Sequence, residues 1–274
     1  MDGAHPISRA NPTHPQPLGP QSANLTFYPQ VCLPRHHFLL PCHSRLSAAP
    51  VGFPQVAGAF RVPGQGSKLA DSEGFPKLHL ARHGETAWSI SGQHTGRVDV
   101  PLTDQGERNA RSLGARLKGL SFVKVLTSPL QRAKRTSDLA GFGSVATIDP
   151  DLVEWNYGQY EDQSTVEIRQ ERPNWNLFRD GCPAGETLDD VSARSDRVIG
   201  HIRACAGDAL IFAHQDLLRI LAVRWLRLPA IEAQHFVLTT ASLSILGYDH
   251  GLDQPVIRLW NDDRHMATDA PRVF

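Results

Sequence analysis

The chain has 274 residues, 41% of them hydrophobic, with 28 Lys and Arg balanced by 28 Asp and Glu. That length and apolar content suffice for a large packed core, and a zero formal charge gives no electrostatic reason to expect nucleic acid or an anionic membrane as a partner. No apolar run reaches bilayer length, since the best stretch, 217–228, is broken by Arg219, Arg224 and Arg227.

Residues 1–76 hold 12 prolines, and between Asp2 and Asp71 there are five Arg and Lys but no acid. Neither a period of 2 nor one of 3.6 runs through them. They read as a disordered Pro-rich extension ahead of one domain at 77–274. A solvated tail, an organelle-targeting peptide and an over-extended gene start compete as explanations; a non-functional extension is favoured, because no amphipathic Arg-rich helix is present. Five prolines in the first twenty residues argue against a secretory signal. Cys32, His36, His37, Cys42 and His43 fit no zinc spacing, and Asn24-Leu25-Thr26 is a glycosylation sequon that matters only in a secreted chain. With Cys182 and Cys205 the four cysteines are few and irregularly spaced, which favours a reducing, cytoplasmic setting.

The domain opens on Lys77-Leu78-His79-Leu80-Ala81-Arg82-His83-Gly84-Glu85-Thr86, where a short apolar alternation predicts a buried strand that stops at Arg-His-Gly. A cation, an imidazole and a glycine at the carboxyl end of a strand suit an anion site, with Arg gripping phosphate and a neutral His as nucleophile. Residues 88–96 are rich in turn formers and predict a loop over that strand's end. Thr103-Asp104-Gln105-Gly106-Glu107 starts a helix, with a hydroxyl cap, acids in the first turn and Ala110, Leu113 and Leu117 at helical spacing. A second buried strand is expected at 122–126; Thr127-Ser128-Pro129 then starts a helix with Pro near its first position and Arg132 in its first turn.

A short strand at 145–148 precedes Glu154-Trp155-Asn156-Tyr157-Gly158 in a loop. The segment holding Trp175 and Phe178 is flanked by turn residues and reads as a lid or a substrate wall. A helix follows Gly185-Glu186-Thr187 and runs to about Ala204, with Glu186 as a first-turn carboxylate complementing its dipole. Residues 208–213 form the third buried strand, ending at His214, and a helix from about Asp216 follows. The chain closes on strands at 242–248 and 256–260, a hairpin across His250-Gly251. Strand–helix units with Arg-His, Ser-Pro and His at equivalent ends imply an α/β fold: a three-layer α/β/α sandwich with a mostly parallel sheet.

Leu80-Ala81-Arg82-His83-Gly84-Glu85-Thr86 resembles the signature of the histidine phosphatase superfamily, the phosphoglycerate-mutase-like fold, and the resemblance extends from about Lys77 to Trp260. It implies that Arg82 binds phosphate and His83 is the nucleophile. Ser-Pro-x-x-Arg supplies a second phosphate-binding arginine at Arg132, Glu-x-x-Tyr-Gly supplies the proton donor Glu154 with Tyr157 beside the substrate, and the strand-end imidazole His214 faces the phosphoryl group. Thr95 and Gly96 fall where the family approaches the phosphate or leaving group, and Ser89 stands where mutases carry an Asn phosphate contact. Arg82, Arg132 and a protonated His214 would form the positive cradle, so neither a metal nor another cofactor is expected.

Two features narrow the branch. Gln215 follows His214, where most members have Gly, though fructose-2,6-bisphosphatase domains share the Gln. The 88–96, 154–161 and 180–187 stretches look most like the branch of actinobacterial acid phosphatases and fungal sedoheptulose-1,7-bisphosphatase. Between them, Arg169, Arg172 and Arg179 either reach a second phosphate or are solvated helix charges, the latter being expected for at least two. The expected activity is hydrolysis of small phosphate monoesters, including sugar phosphates, by a monomer or homodimer. A cofactor-dependent phosphoglycerate mutase and a catalytically inactive phospho-ligand binder are the alternatives.

Overall fold

The computed structural model describes residues 74–266, all within one compact unit, Pro63–Phe274. The expectations for the N-terminal extension, its Cys/His cluster and its sequon lie outside the described residues, apart from 74–76. Six strands form one sheet: β1 Leu78–Arg82, β2 Lys124–Thr127, β3 Thr147–Ile148, β4 Ala209–Ala213, β5 Leu243–Tyr248 and β6 Pro255–Asp262. Their order is β3-β2-β4-β1-β5-β6, parallel from β3 to β1, with β5 antiparallel to both β1 and β6.

Alternation along the strands divides the core. Leu78 and Leu80 of β1 and Ala209, Ile211 and Ala213 of β4 pack on one face, with α6 (Leu188–Arg203) and α7 (Gln215–Trp225). Ala81, Leu210 and Phe212 point the other way, against Leu113 and Leu117 of α2 (Asp104–Leu117) and Ala140 at the end of α3 (Gln131–Leu139). Strands β1, β2 and β4 are therefore buried on both sides, as a three-layer sandwich requires, while β3 is an exposed edge. The last two strands pair antiparallel across 249–254, the expected hairpin.

Local chemistry sets the helix starts. Thr103 caps α2 by accepting from the Gly106 N–H at 3.0 Å, with Asp104 and Glu107 in the first turn. The 88–96 stretch is not all loop: α1 (Ala87–Ser91) forms there, because Thr86 and Ser89 close a reciprocal capping box and Gly92 ends the turn at φ 79°. Proline 129 stands two residues before the first helical residue of α3 rather than within it. Two shorter helices, α4 (Thr165–Glu171) and α5 (Leu177–Asp180), cover the sheet's carboxyl end beside α7. A close backbone crossing underlies that end. A Cβ on Gly84 would meet the Gly106 carbonyl oxygen at 2.5 Å, so glycine is required where the loop after β1 crosses the first turn of α2.

Candidate active site

Sheet register builds the site. Arg82 pairs with Ala213, and Thr127 pairs with Phe212. The ladder continues one residue beyond the strands: the His83 N–H donates to Ala213 O at 2.9 Å and the Ser128 N–H to Phe212 O at 3.0 Å. His83, His214 and Ser128 thus leave three adjacent parallel strands at one level, and the two imidazole centroids lie 5.2 Å apart.

His83 is buried, with Nδ1 2.7 Å from Gly84 O. A carbonyl only accepts, so Nδ1 holds the proton and Nε2 keeps its lone pair. Burial, and then the Arg132 and Arg82 charges, push the ring's pKa well below its ordinary value. The nucleophile expected from sequence is thereby neutral and correctly tautomerised. Arg82 sends Nη1 to Leu238 O, while its buried Nε has no partner among the described residues. Burial lowers its pKa to about 10, opposed by Glu154 and Asp216, so it stays cationic at neutral pH. A charged buried donor with nothing to bond is an anion ligand in waiting.

His214 departs from expectation. It is fully buried, its Nδ1 accepts from Arg132 Nε at 3.2 Å, and Nε2 lies 2.7 Å from Ser128 Oγ. An imidazolium has no lone pair for that arginine, and burial followed by Arg132, His83 and Arg82 drives the pKa far down. The expected protonated His214 is therefore a neutral acceptor here. Arg132 itself is fully buried and uses Nη1 on Val98 O at 2.9 Å and Nη2 on Thr95 O and Gly96 O at 2.9 and 3.0 Å. In this arrangement it clamps the 95–98 loop, spending four of its five N–H donors on His214 and these carbonyls and keeping one on Nη1.

Glu154 caps α7 from across the chain. Its Oε1 accepts from the Leu217 N–H at 3.0 Å and from its neighbour Trp155 N at 2.9 Å, and Oε2 accepts from Asp216 N at 3.2 Å. This replaces the side-chain cap that His214, at the helix start, does not give. Burial, reinforced by the Asp216 charge, raises the Glu154 pKa. Asp216, although burial works against it, is held below its ordinary value by Arg219, whose Nη1 donates to Oδ1 at 2.7 Å, and by the Tyr157 hydroxyl, which donates to Oδ2 at 2.7 Å.

A cavity of about 210 Å³ joins these groups, lined by Arg82, His83, Ser89, Thr95, Glu154 and Tyr157 among others. Of the residues expected from sequence, Arg132, His214 and Gly96 stand behind this wall. The Gly96 N–H goes to Glu161 at 2.7 Å, and the Ser89 hydroxyl, though at the wall, serves the α1 cap by donating to Thr86 O. Among the described residues no cluster of three His, Cys, Asp or Glu is set to hold a metal ion.

The family model of the histidine phosphatase superfamily (branch 1) matches residues 78–263. The chain belongs to this superfamily. It is 39% identical over 182 residues to an acid phosphatase of Mycobacterium tuberculosis, covering 65% of this chain and 89% of the relative. It is 36% identical over 183 residues to sedoheptulose 1,7-bisphosphatase of Saccharomyces cerevisiae, covering 55% and 67%. The solved structure of a Mycobacterium tuberculosis open reading frame product superimposes with a TM-score of 0.64 at 36% identity, over 68% of this chain and 97% of that one.

Several supports of this histidine phosphatase site were not foreseen. Glu186 is not in the first turn of α6, which Thr187 caps; it accepts from Arg194 Nε at 3.0 Å and from the Asn156 N–H at 2.8 Å. Arg194 also donates to Val153 O at 2.6 Å, so the pair braces Glu154 from both sides. Trp175 and Phe178 are buried in the main core as a wall, not a lid. Arg172 and Arg179 are tied to Tyr160 and Asp180, as solvated helix charges, while Arg169 spends Nε on Trp175 O. Asp216 was placed in sequence only at the start of the helix after His214; Arg219 meets it one turn along that helix, and its bond with Tyr157 exists only in three dimensions. No helix of the described residues is long and apolar enough to cross a membrane.

Proposed function

We propose that this phosphatase hydrolyses monoesters of small phosphorylated metabolites through a phosphohistidine on His83. The carrying observation is that one cavity holds an unprotonated Nε2 on His83 and, in Glu154, a carboxyl group whose pKa is raised. Nε2 attacks phosphorus as the ester P–O bond breaks, Arg82 balances charge on the equatorial oxygens, and Glu154 gives its proton to the departing alkoxide. The carboxylate left behind is met by three main-chain N–H groups, which stabilise it. It then takes a proton from water as that water attacks phosphorus and the P–N bond breaks, releasing inorganic phosphate. Arginine charge performs the electrostatic work, so the reading uses no metal.

Trapping with ³²P-labelled phenyl phosphate tests it, with the reaction stopped in alkaline detergent because the P–N bond of a phosphohistidine survives base and is lost in acid. An alkali-stable, acid-labile protein label is expected in the unmodified chain and none in His83→Ala, with turnover lost in parallel. Persistent hydrolysis by His83→Ala would overturn the reading. Interconversion of 3-phosphoglycerate and 2-phosphoglycerate with 2,3-bisphosphoglycerate and no net phosphate release would replace it with a mutase.

A further inference from the structure

A second cavity, of about 190 Å³, adjoins the first and shares His94, Thr165, Gln215 and Asp216 with it. Its base is aromatic. Trp175 meets the edge of His94 at 5.6 Å between centroids, and Phe178 lies beneath the Arg219 guanidinium at 4.7 Å. Its rim carries neutral hydrogen-bonding groups with capacity to spare. His94 Nε2 has a long contact with Thr165 Oγ1, 3.3 Å, and Gln234 Oε1 takes a long bond from Asn176 at 3.4 Å. The Gln215 amide makes no hydrogen bond to the described residues. Arg219 is already committed: Nε to Ala233 O, Nη1 to Asp216 and Nη2 to Gln234 O. The chamber therefore presents amides, a hydroxyl and an imidazole over aromatic surface, with the half-buried Arg219 neutralised and the exposed Arg169 at its rim.

We propose that this chamber holds the alcohol part of the substrate, and that this part is a polyhydroxylated chain, as in a sugar or polyol phosphate; the assignment rests on the phosphatase reading of the His83 cavity. A hydroxyl both donates and accepts, so it pairs with an amide or a neutral imidazole equally well in either sense. The C–H faces between hydroxyls lie on Trp175 and Phe178. An alkyl chain would leave the His94, Gln215 and Gln234 groups dry and unpaired, which is how a polar site rejects an apolar analogue. His94, at the junction of the two cavities, would be the hydrogen-bonding contact nearest the scissile ester.

The test compares sorbitol 6-phosphate with n-hexyl phosphate on the full chain, two esters of equal carbon length that differ in their hydroxyls. The expected kcat/KM ratio favours sorbitol 6-phosphate by roughly ten-fold or more, and Gln234→Leu and His94→Phe each reduce that ratio roughly two- to ten-fold, the span of one lost neutral hydrogen bond, chiefly through KM. A ratio near one, or equal losses on both esters in the variants, overturns the assignment, since a merely structural role lowers both alike. Arg169 leaves its Nη groups available at the rim. If fructose 1,6-bisphosphate is strongly preferred over sorbitol 6-phosphate and Arg169→Gln abolishes that preference, the chamber is an anion subsite and the polyol assignment fails. If p-nitrophenyl phosphate is not hydrolysed either, the phosphatase reading falls and takes this assignment with it.

Discussion

Arg132 donates from Nε to the Nδ1 of His214 at 3.2 Å, and this bond fixes the second imidazole as a neutral acceptor beside His83. The same guanidinium holds three carbonyls of the 95–98 loop, so one side chain ties together β2's end, β4's end and the mouth of the site. Lysine carries the charge but lacks the rigid fork. Arg132→Lys is expected to lower kcat/KM by about 10²–10³, the scale of losing one preorganised electrostatic donor set. Steady-state kinetics with p-nitrophenyl phosphate measure it, and near-normal activity would show that charge alone suffices at this position.

Removing the proposed proton donor, Glu154, discriminates between leaving groups. Nitrophenolate departs without a proton, whereas an alkoxide does not. Glu154→Gln keeps the volume and is expected to slow alkyl phosphate hydrolysis by about 10²–10⁴ while affecting p-nitrophenyl phosphate far less. Equal losses on both esters would argue that the carboxyl acts by shaping the α7 terminus, not by donating a proton.

The pH profile follows from two shifts of opposite sign. His83 has a lowered pKa and is neutral well into the acid range, so acid does not silence the proposed nucleophile. Glu154 has a raised pKa and keeps its proton above the ordinary carboxylate range, so alkyl ester turnover falls as pH rises through that value. Burial contributes most to the rise and the Asp216 charge contributes next. Asp216→Asn is therefore expected to move the alkaline limb to lower pH; a limb that stays in place or moves upward would remove Asp216 from this role.

Arg194 is buried and forks onto Glu186 while bonding the carbonyls of Asp151 and Val153. Arg194→Leu removes the short-range cation from a largely buried carboxylate, which keeps the Asn156 N–H, and leaves two carbonyls without their donor. The expected loss is about 3–5 kcal/mol of stability, the scale for removing one partner of a buried pair. Chemical denaturation would read it as a lowered midpoint. Since the brace flanks Glu154, alkyl phosphate turnover should fall more than nitrophenyl phosphate turnover at temperatures where the variant remains folded.

Most of the architecture was legible along the chain. Leu78 and Leu80, the 208–213 run and the Thr103 cap announce their elements because periodicity, apolar runs and capping are local properties, and the spacing of strand, helix and strand leaves a parallel sheet as the natural outcome. That His83 and Glu154 would meet in one cavity was also expected from short motifs, and both line it. The helix at 87–91 was missed because turn formers also build capping boxes: Ser89 could be read as a loop residue or as the reciprocal partner of Thr86, and only the backbone path chooses.

The protonation of His214, the brace of Glu186 by Arg194 and the Tyr157–Asp216–Arg219 chain were decided by tertiary structure alone. All depend on which donor faces which acceptor and on how much water the fold excludes there, and two of them, His214 with Arg132 and Tyr157 with Asp216, join segments dozens of residues apart. Residue types in order specify which groups are present and which elements carry them. Their charge states and hydrogen-bond partners are properties of the packed cavity, because burial and neighbouring charge set them only once the chain has closed around the site.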